Sequence, residues 1–384
     1  VGTALVLVAC SSGDADSSQS SAASAGPAAT ISATPKARVS TVVSRGNNAV
    51  GLASGPNGRV IYAEKDSGRI ISLNGRKRST LGRVGVADPG PGGEAGLLGL
   101  ASRGTRVWAY YIGPRENCAD PAGTSGGAIA AHCIWRLKLS GGKLTPDKLV
   151  FSAPHPSTAE NHVGGGLRFG PDRALYLGLG DLGENYDSTL GPARAQDLSV
   201  PFGKILRLDP NQTDKGAAGN PTTCGNGDNS AQRKIVDGRI WACGLRNPFS
   251  FDWDSNKRMW IAEVGDGCDE LNVGHAGVNY GWQPPREDSD CAGSGKGRPV
   301  LKMTDTPTPS GVAIPKSKSA LAWRNQVFFG IFADQSLARY NPKTRGQARV
   351  RAANGRTGWS LLARGNAIWM SNGQKISKLT LSRR

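Results

Sequence analysis

The sequence predicts an all-β fold, a six-bladed β-propeller with loop insertions, and three observations carry that prediction. The 384 residues include 53 Gly and 23 Pro, only 20% are charged, and no long run repeats apolar residues at helical spacing. Short strands joined by turns are therefore expected. From Val50 onward a loose theme recurs six times: a short apolar strand, a Pro/Gly/Asn/Asp turn, a strand containing Tyr or Trp, and often Gly-x-Ile-x-x-Leu. One such unit cannot bury both of its faces, whereas a ring of them can. An array of β-sandwiches would explain the strands but not their recurrence.

Taken in chain order, the first segment is Leu5-Val6-Leu7-Val8-Ala9-Cys10 followed by Ser11-Ser12-Gly13-Asp14. It resembles a bacterial lipoprotein cleavage site, which makes residues 1–10 a partial signal segment and Cys10 the lipid-bearing residue. Residues 11–40, rich in Ser and Ala, read as a flexible tether, and residues 41–384 as the propeller. No other stretch is long and apolar enough to span a bilayer. The expected location is extracellular or on the cell envelope, with the membrane reached only through the lipid anchor.

The first unit joins Val50–Ala53, Gly58–Tyr62 and Gly68–Leu73, and the second joins Gly96–Leu100, Val107–Tyr110 and Ile134–Leu137. In the third, Leu167–Phe169 and Ala174–Leu179 flank Gly170-Pro171-Asp172-Arg173, a tight-turn composition, and Gly203–Leu208 completes it. The fourth runs from Phe249–Trp253 through Met259–Glu263 to Glu270–Asn272, the fifth joins Gly311–Ile314, Val327–Phe329 and Leu337–Tyr340, and the sixth joins Trp359–Leu362, Ala367–Met370 and Lys375–Leu379. The long insertions lie between the second and fifth units, and loops at one end of a rigid ring are where a site would be built.

The third unit carries the chemistry. His162 stands at the entrance of its first strand and Asp181 at the exit of its second, so an antiparallel hairpin puts both at one end. A neutral histidine can act as a general base when a carboxylate on its other nitrogen fixes its tautomer. The match of Gly178-Leu179-Gly180-Asp181-Leu182-Gly183 to a dinucleotide-binding fingerprint is set aside, because no amphipathic helix follows to meet a pyrophosphate.

The segment from His162 to Tyr176, closing at Gly180-Asp181, resembles the sorbosone and soluble glucose dehydrogenase family, with its His-x-Gly-Gly-x-Leu-x-Phe-Gly-Pro-Asp-x-x-Leu-Tyr pattern. Gly93–Leu100, Gln196–Pro210, Gly244-Leu245-Arg246-Asn247-Pro248, and Ala262–Asp266 with Asp269–Asn272 and Asn279–Trp282 resemble further family segments. The resemblance extends over roughly residues 45 to 380. It implies a six-bladed propeller that oxidises an aldose sugar at its anomeric carbon, with pyrroloquinoline quinone (PQQ) and Ca²⁺ as cofactors and an external electron acceptor. It implies His162 as base, Asp181 as its orienter, Arg246 and Asn247 as partners of the quinone carbonyls, and Glu94 and Arg356 as further cofactor contacts. It also implies a carboxylate ligand at Glu270 and a carbonyl ligand at Tyr280 for Ca²⁺, an ion that takes such oxygens.

The chain departs from the family pattern where cations are usual. Gly166 stands in place of an Arg, Phe329–Asp334 contains no Lys, and Arg356-Thr357-Gly358 keeps at most one Arg. A tricarboxylate would lose charge-assisted anchors of about 1.5–3 kcal/mol each. The alternative reading is therefore a cofactor-free propeller that binds carbohydrate or an envelope partner. Lys and Arg exceed Asp and Glu by 17, but they are spread along the chain and accompany no nucleic-acid-binding motif, so no nucleic-acid partner is expected. Besides Cys10, six cysteines remain and contain no C-x-x-C, which in an exported protein reads as disulfides. Of the 15 possible connectivities the sequential one, Cys118–Cys133, Cys224–Cys243 and Cys268–Cys291, is expected.

Overall fold

A computed structural model describes residues 37–88, 93–114, 118, 121, 126, 128–155, 161–183, 193–227, 232–283, 295–303 and 307–381. Six four-stranded antiparallel sheets form the blades of a propeller, and one two-stranded hairpin, Thr223–Cys224 with Arg233–Lys234, lies in an insertion. The innermost strands, in order, are Ala49–Ser54, Leu97–Arg103, Leu167–Phe169, Ser250–Trp253, Pro309–Ala313 and Ser360–Arg364. Each contacts the next, and the last returns to the first, so the ring is closed.

The strands form where the sequence alternates or clusters apolar residues, and the turns where a side chain can bond its own backbone. In the third blade, the Gly170 N–H bonds the Ala174 carbonyl at 2.9 Å and Arg173 takes a φ of +71°. Asp172 Oδ1 accepts the Ala174 N–H at 3.2 Å, and its Oδ2 accepts from Tyr176 Oη at 3.0 Å and Arg207 Nε at 2.7 Å. The turn is thereby fixed from both sides, and the register follows as Leu167 opposite Leu177 and Phe169 opposite Leu175. Between blades the cores run together: Leu98, Trp108 and Tyr110 of the second share one apolar cluster with Leu167, Leu177 and Leu206 of the third. Arg168 crosses the ring, its Nη2 donating to the carbonyls of Val312 at 3.1 Å and Leu361 at 2.9 Å, and so ties the third blade to the fifth and sixth.

One element corrects the expected boundary. Ala37–Val43 is a strand and forms the outer edge of the sixth blade, paired antiparallel with Ile376–Leu381. The fold therefore begins inside the segment expected to be tether, because Ala37 and Val39 pack on the core of the last blades. Strands from the two chain ends thus pair in one blade and close the ring. Deleting residues 1–43 should cost several kcal/mol, since ladder hydrogen bonds contribute about 0.5–1.5 kcal/mol each and apolar burial is lost as well. Thermal unfolding of that deletion, set beside one of residues 1–36, measures the difference.

The pairs Cys118–Cys133 and Cys224–Cys243 are formed as expected. Cys291 of the third expected pair lies outside the described residues. So do Cys10, expected to bear a lipid, and most of the segment expected to be a tether. Among the described residues no helix is long and apolar enough to cross a membrane.

Candidate functional site

The site lies at one end of the ring for a topological reason. Loops that enter inner strands and loops that leave second strands emerge at the same end of an antiparallel blade. Glu94, His162 and the Arg246-Asn247 pair precede the inner strands of blades two, three and four, while Asp181 and Glu263 follow or end the second strands of blades three and four. Gly165, Gly166, Phe249, Trp359 and Ser360, among others, line a small axial opening between the inner strands.

His162 Nδ1 lies 2.7 Å from Asp181 Oδ1. Asp181 is buried, at 1% exposure, and its two oxygens also accept the Gly183 N–H at 2.9 Å and the Trp282 indole N–H at 2.8 Å. A carboxylate held by donor-only groups has one role left toward the imidazole, which is to accept Nδ1–H. That fixes the tautomer and leaves Nε2 with its lone pair. Among the described residues His162 Nε2 has no hydrogen-bond partner.

The backbone that carries His162 is held under strain. His162 has φ +52°, followed by Gly164 at +71° and Gly165 at +147°. Such a conformation persists only where the surroundings over-determine it. Here Glu94 Oε2 accepts the Val163 N–H at 3.2 Å and Asn247 Oδ1 accepts the Gly164 N–H at 3.2 Å. Gly164 leaves no room for a side chain, since a Cβ would sit 2.1 Å from the Gly178 carbonyl oxygen. Burial pushes the Glu94 carboxyl above its usual range, while His162, the Val163 N–H and Arg246 pull it back, so these groups share one electrostatic neighbourhood.

Glu263 organises the next side. Its Oε1 accepts the backbone N–H of both Arg246 at 2.5 Å and Asn247 at 3.1 Å. The Arg246 guanidinium, 5.5 Å from the Trp282 ring, is thereby set over the indole that also holds Asp181. Full burial, and then the charge of Glu270 opposite it on the neighbouring strand, push the Glu263 carboxyl well above its usual range.

Arg356 does not join this group. Its guanidinium bonds Thr41 Oγ1 at 2.9 Å and Ser377 Oγ at 3.5 Å on the two outermost strands of the sixth blade. The expected cofactor contact is thus engaged within its own blade, because the unforeseen strand Ala37–Val43 supplies it with a partner. Trp282 and Glu263 were visible only as members of motifs, and neither carried a sign of its role.

The residues around Glu270 suit a hard cation. Glu263 Oε2 and Asn272 Oδ1 are buried oxygens without a hydrogen-bond donor. Glu270 accepts from Asn272 Nδ2 at 2.8 Å, and the charges of Glu270 and Glu263 both act on Tyr280. Among the described residues no cluster of three or more His, Cys, Asp or Glu exists. The set is two carboxylates plus neutral oxygens, a composition typical of Ca²⁺ rather than of a transition metal. For a tricarboxylate quinone the fit is partial: Arg246 offers a cation, and Asn247 Nδ2 is an amide donor with no bond among the described residues. Gly166 offers nothing, and the space beside it is tight, since a Cβ there would meet Phe251 Cε1 at 3.0 Å and the Phe249 carbonyl oxygen at 3.2 Å.

The chain is similar to the aldose sugar dehydrogenase YliI of Escherichia coli K12, 28% identical over 273 residues, and spans 66% of that protein's length as of its own. It is also similar to quinoprotein glucose dehydrogenase B of Acinetobacter calcoaceticus, 24% identical over 334 residues, which are 80% of this chain and 67% of that protein. Among solved structures, the PQQ-bound form of an aldose sugar dehydrogenase from Streptomyces coelicolor superposes with a TM-score of 0.67 at 26% identity, over 90% of this chain and 99% of that one. The model of the glucose and sorbosone dehydrogenases matches residues 47–359, and the chain belongs to that family.

Proposed function

We propose that the protein oxidises an aldose sugar at its anomeric carbon, using PQQ and Ca²⁺, and passes the electrons to an external acceptor. The observation that carries the reading is the His162–Asp181 pair at 2.7 Å, beside the axial opening and in the field of Arg246 and Glu94. His162 Nε2 takes the proton of the sugar's anomeric hydroxyl, and Asp181 stabilises the imidazolium that forms. When bound, the quinone supplies the electrophile that accepts the hydride leaving the same carbon, so the sugar is oxidised by two electrons. Arg246 would neutralise negative charge at the acceptor, a service worth most in a site shielded from water. Glu263, Glu270, the Asn272 amide oxygen and the Tyr280 carbonyl would hold Ca²⁺, which would add Lewis-acid stabilisation there.

Export with a lipid anchor at Cys10 accords with the paired cysteines, since disulfides persist outside the cytosol. A second reading, a propeller that binds carbohydrate without a cofactor, is favoured by one observation: Gly166 supplies no cation where one is usual in the family. Absorbance titration of the purified protein with PQQ separates the two. Saturable binding at micromolar quinone, lost on chelation of Ca²⁺ and restored by its return, supports the enzyme. No binding with Ca²⁺ present overturns it.

A further inference from the structure

Beneath His162 lies a set of polar groups that the catalytic reading does not use. Tyr110 Oη lies 2.7 Å from the Val163 carbonyl oxygen and 2.8 Å from His132 Nδ1. His132 Nε2 lies 2.9 Å from His155 Nδ1. Tyr110 and His132 are fully buried and His155 half-buried. The two imidazoles stack at 5.1 Å between centroids, and Phe202 meets the His132 ring edge-on at 5.2 Å.

The proton positions follow from elementary valence. A carbonyl only accepts, so the one hydroxyl proton of Tyr110 goes to Val163. Tyr110 Oη must then accept from His132, which requires Nδ1–H there. Burial drives His132 well below its usual pKa, so the ring is neutral and its Nε2 is an acceptor for His155 Nδ1–H. The bonds all run in one direction, from His155 at the edge to the peptide that follows His162.

We propose that His155, His132 and Tyr110 form a hydrogen-bond relay that anchors the Val163 carbonyl and so holds His162 in its left-handed backbone conformation, with Tyr110 as a positioning residue. The inference rests on the reading of His162 as the base. Four histidines in the chain make the relay directly observable. A buried polar network that is fully satisfied specifies one geometry, and one that loses a member does not. The neighbouring clamps on the Val163 and Gly164 N–H groups hold the segment at its nitrogens, and the Leu182 N–H reaches the His162 carbonyl only at 3.4 Å. The Val163 carbonyl has Tyr110.

Two measurements test it, and the first needs no cofactor. Long-range proton–nitrogen NMR of the quinone-free protein should show His132 as the neutral Nδ1–H tautomer, and Tyr110→Phe should move the ring signals of His162. A His132 ring protonated on Nε2, or His162 signals unmoved by Tyr110→Phe, would overturn the relay. The second measurement is steady-state kinetics of the reconstituted protein. Tyr110→Phe should lower kcat about tenfold with KM within about twofold, less than the hundredfold that a misplacement of about 1 Å can cost. His132→Asn, whose amide nitrogen stands near the position of Nδ1, should keep kcat near the parent, while His132→Leu should match Tyr110→Phe. Equal rates for the Asn and Leu variants overturn the proposal. Should Tyr110→Phe fail to fold, His155→Ala removes the edge donor alone and should shift the His132 and His162 signals in the folded protein; unmoved signals count against the relay. A protein that binds no quinone refutes the enzyme reading, and the NMR arm then still decides the relay.

Discussion

Substitution of His162 by Ala should lower kcat by 10²–10⁴-fold, the usual worth of a general base, with quinone affinity and melting temperature close to the parent. His162 Nε2 faces no protein partner among the described residues, and the other ring nitrogen is already committed to Asp181 at 2.7 Å. Removal should not unfold the site. Asp181 keeps the Gly183 N–H and the Trp282 indole N–H, so no buried carboxylate is stranded. Alanine also gains nothing from φ +52°, since it pays the same left-handed penalty as histidine, about 1–2 kcal/mol. Dye-coupled turnover on an aldose panel measures the loss. A variant within tenfold of the parent would remove His162 from the base role, and a lowered quinone affinity would make it a binding residue instead.

The fold was legible because each unit carries its own punctuation. Gly170-Pro171-Asp172-Arg173 is a turn by composition, and the structure shows why the aspartate is there: it holds Ala174, Tyr176 and Arg207 at once. His162 and Asp181 were legible for a related reason, since both flank a single hairpin and local register alone brings them together. Glu94, Arg246 and Asn247 come from other blades, and only their motifs pointed to the site. What stayed hidden depends on contacts distant in sequence. Trp282 reaches Asp181 across 101 positions. Tyr110 reads as an ordinary strand residue and His132 falls before the strand expected at Ile134–Leu137; both stand in runs of continuous burial, and nothing local says that their polar atoms meet. The strand Ala37–Val43 was obscured by the Ser/Ala-rich stretch before it, although its own exposure alternates at its start as an edge strand's should. Arg356 follows from that omission, since its partner Thr41 lies on the strand that was not foreseen.

Asp181→Asn should lower kcat by a comparable 10²–10⁴-fold, about 2.7–5.4 kcal/mol of barrier at 1.36 kcal/mol per decade, while quinone affinity holds. The argument is one of donors. Asp181 Oδ1 accepts from His162 Nδ1 and the Gly183 N–H, and Oδ2 accepts from the Trp282 indole, which is donor-only. An Asn side chain brings one NH₂ to this place. Turned toward Trp282, it sets two donors face to face and leaves a neutral amide oxygen beside His162, so the imidazolium that forms in the reaction has no counter-charge. Turned toward His162, it opposes the Gly183 N–H and forces Nδ1 to accept, which moves the ring proton to Nε2 and removes the lone pair that must take the sugar's proton. Either orientation strands a buried donor at about 1–3 kcal/mol, so the melting temperature should fall as well. The NMR experiment that reads the His132 tautomer reads this one too. His162 as Nε2–H in the Asn variant identifies the second orientation. Unchanged Nδ1–H with a lost rate identifies the first, and an unchanged rate in either form would leave Asp181 a structural carboxylate.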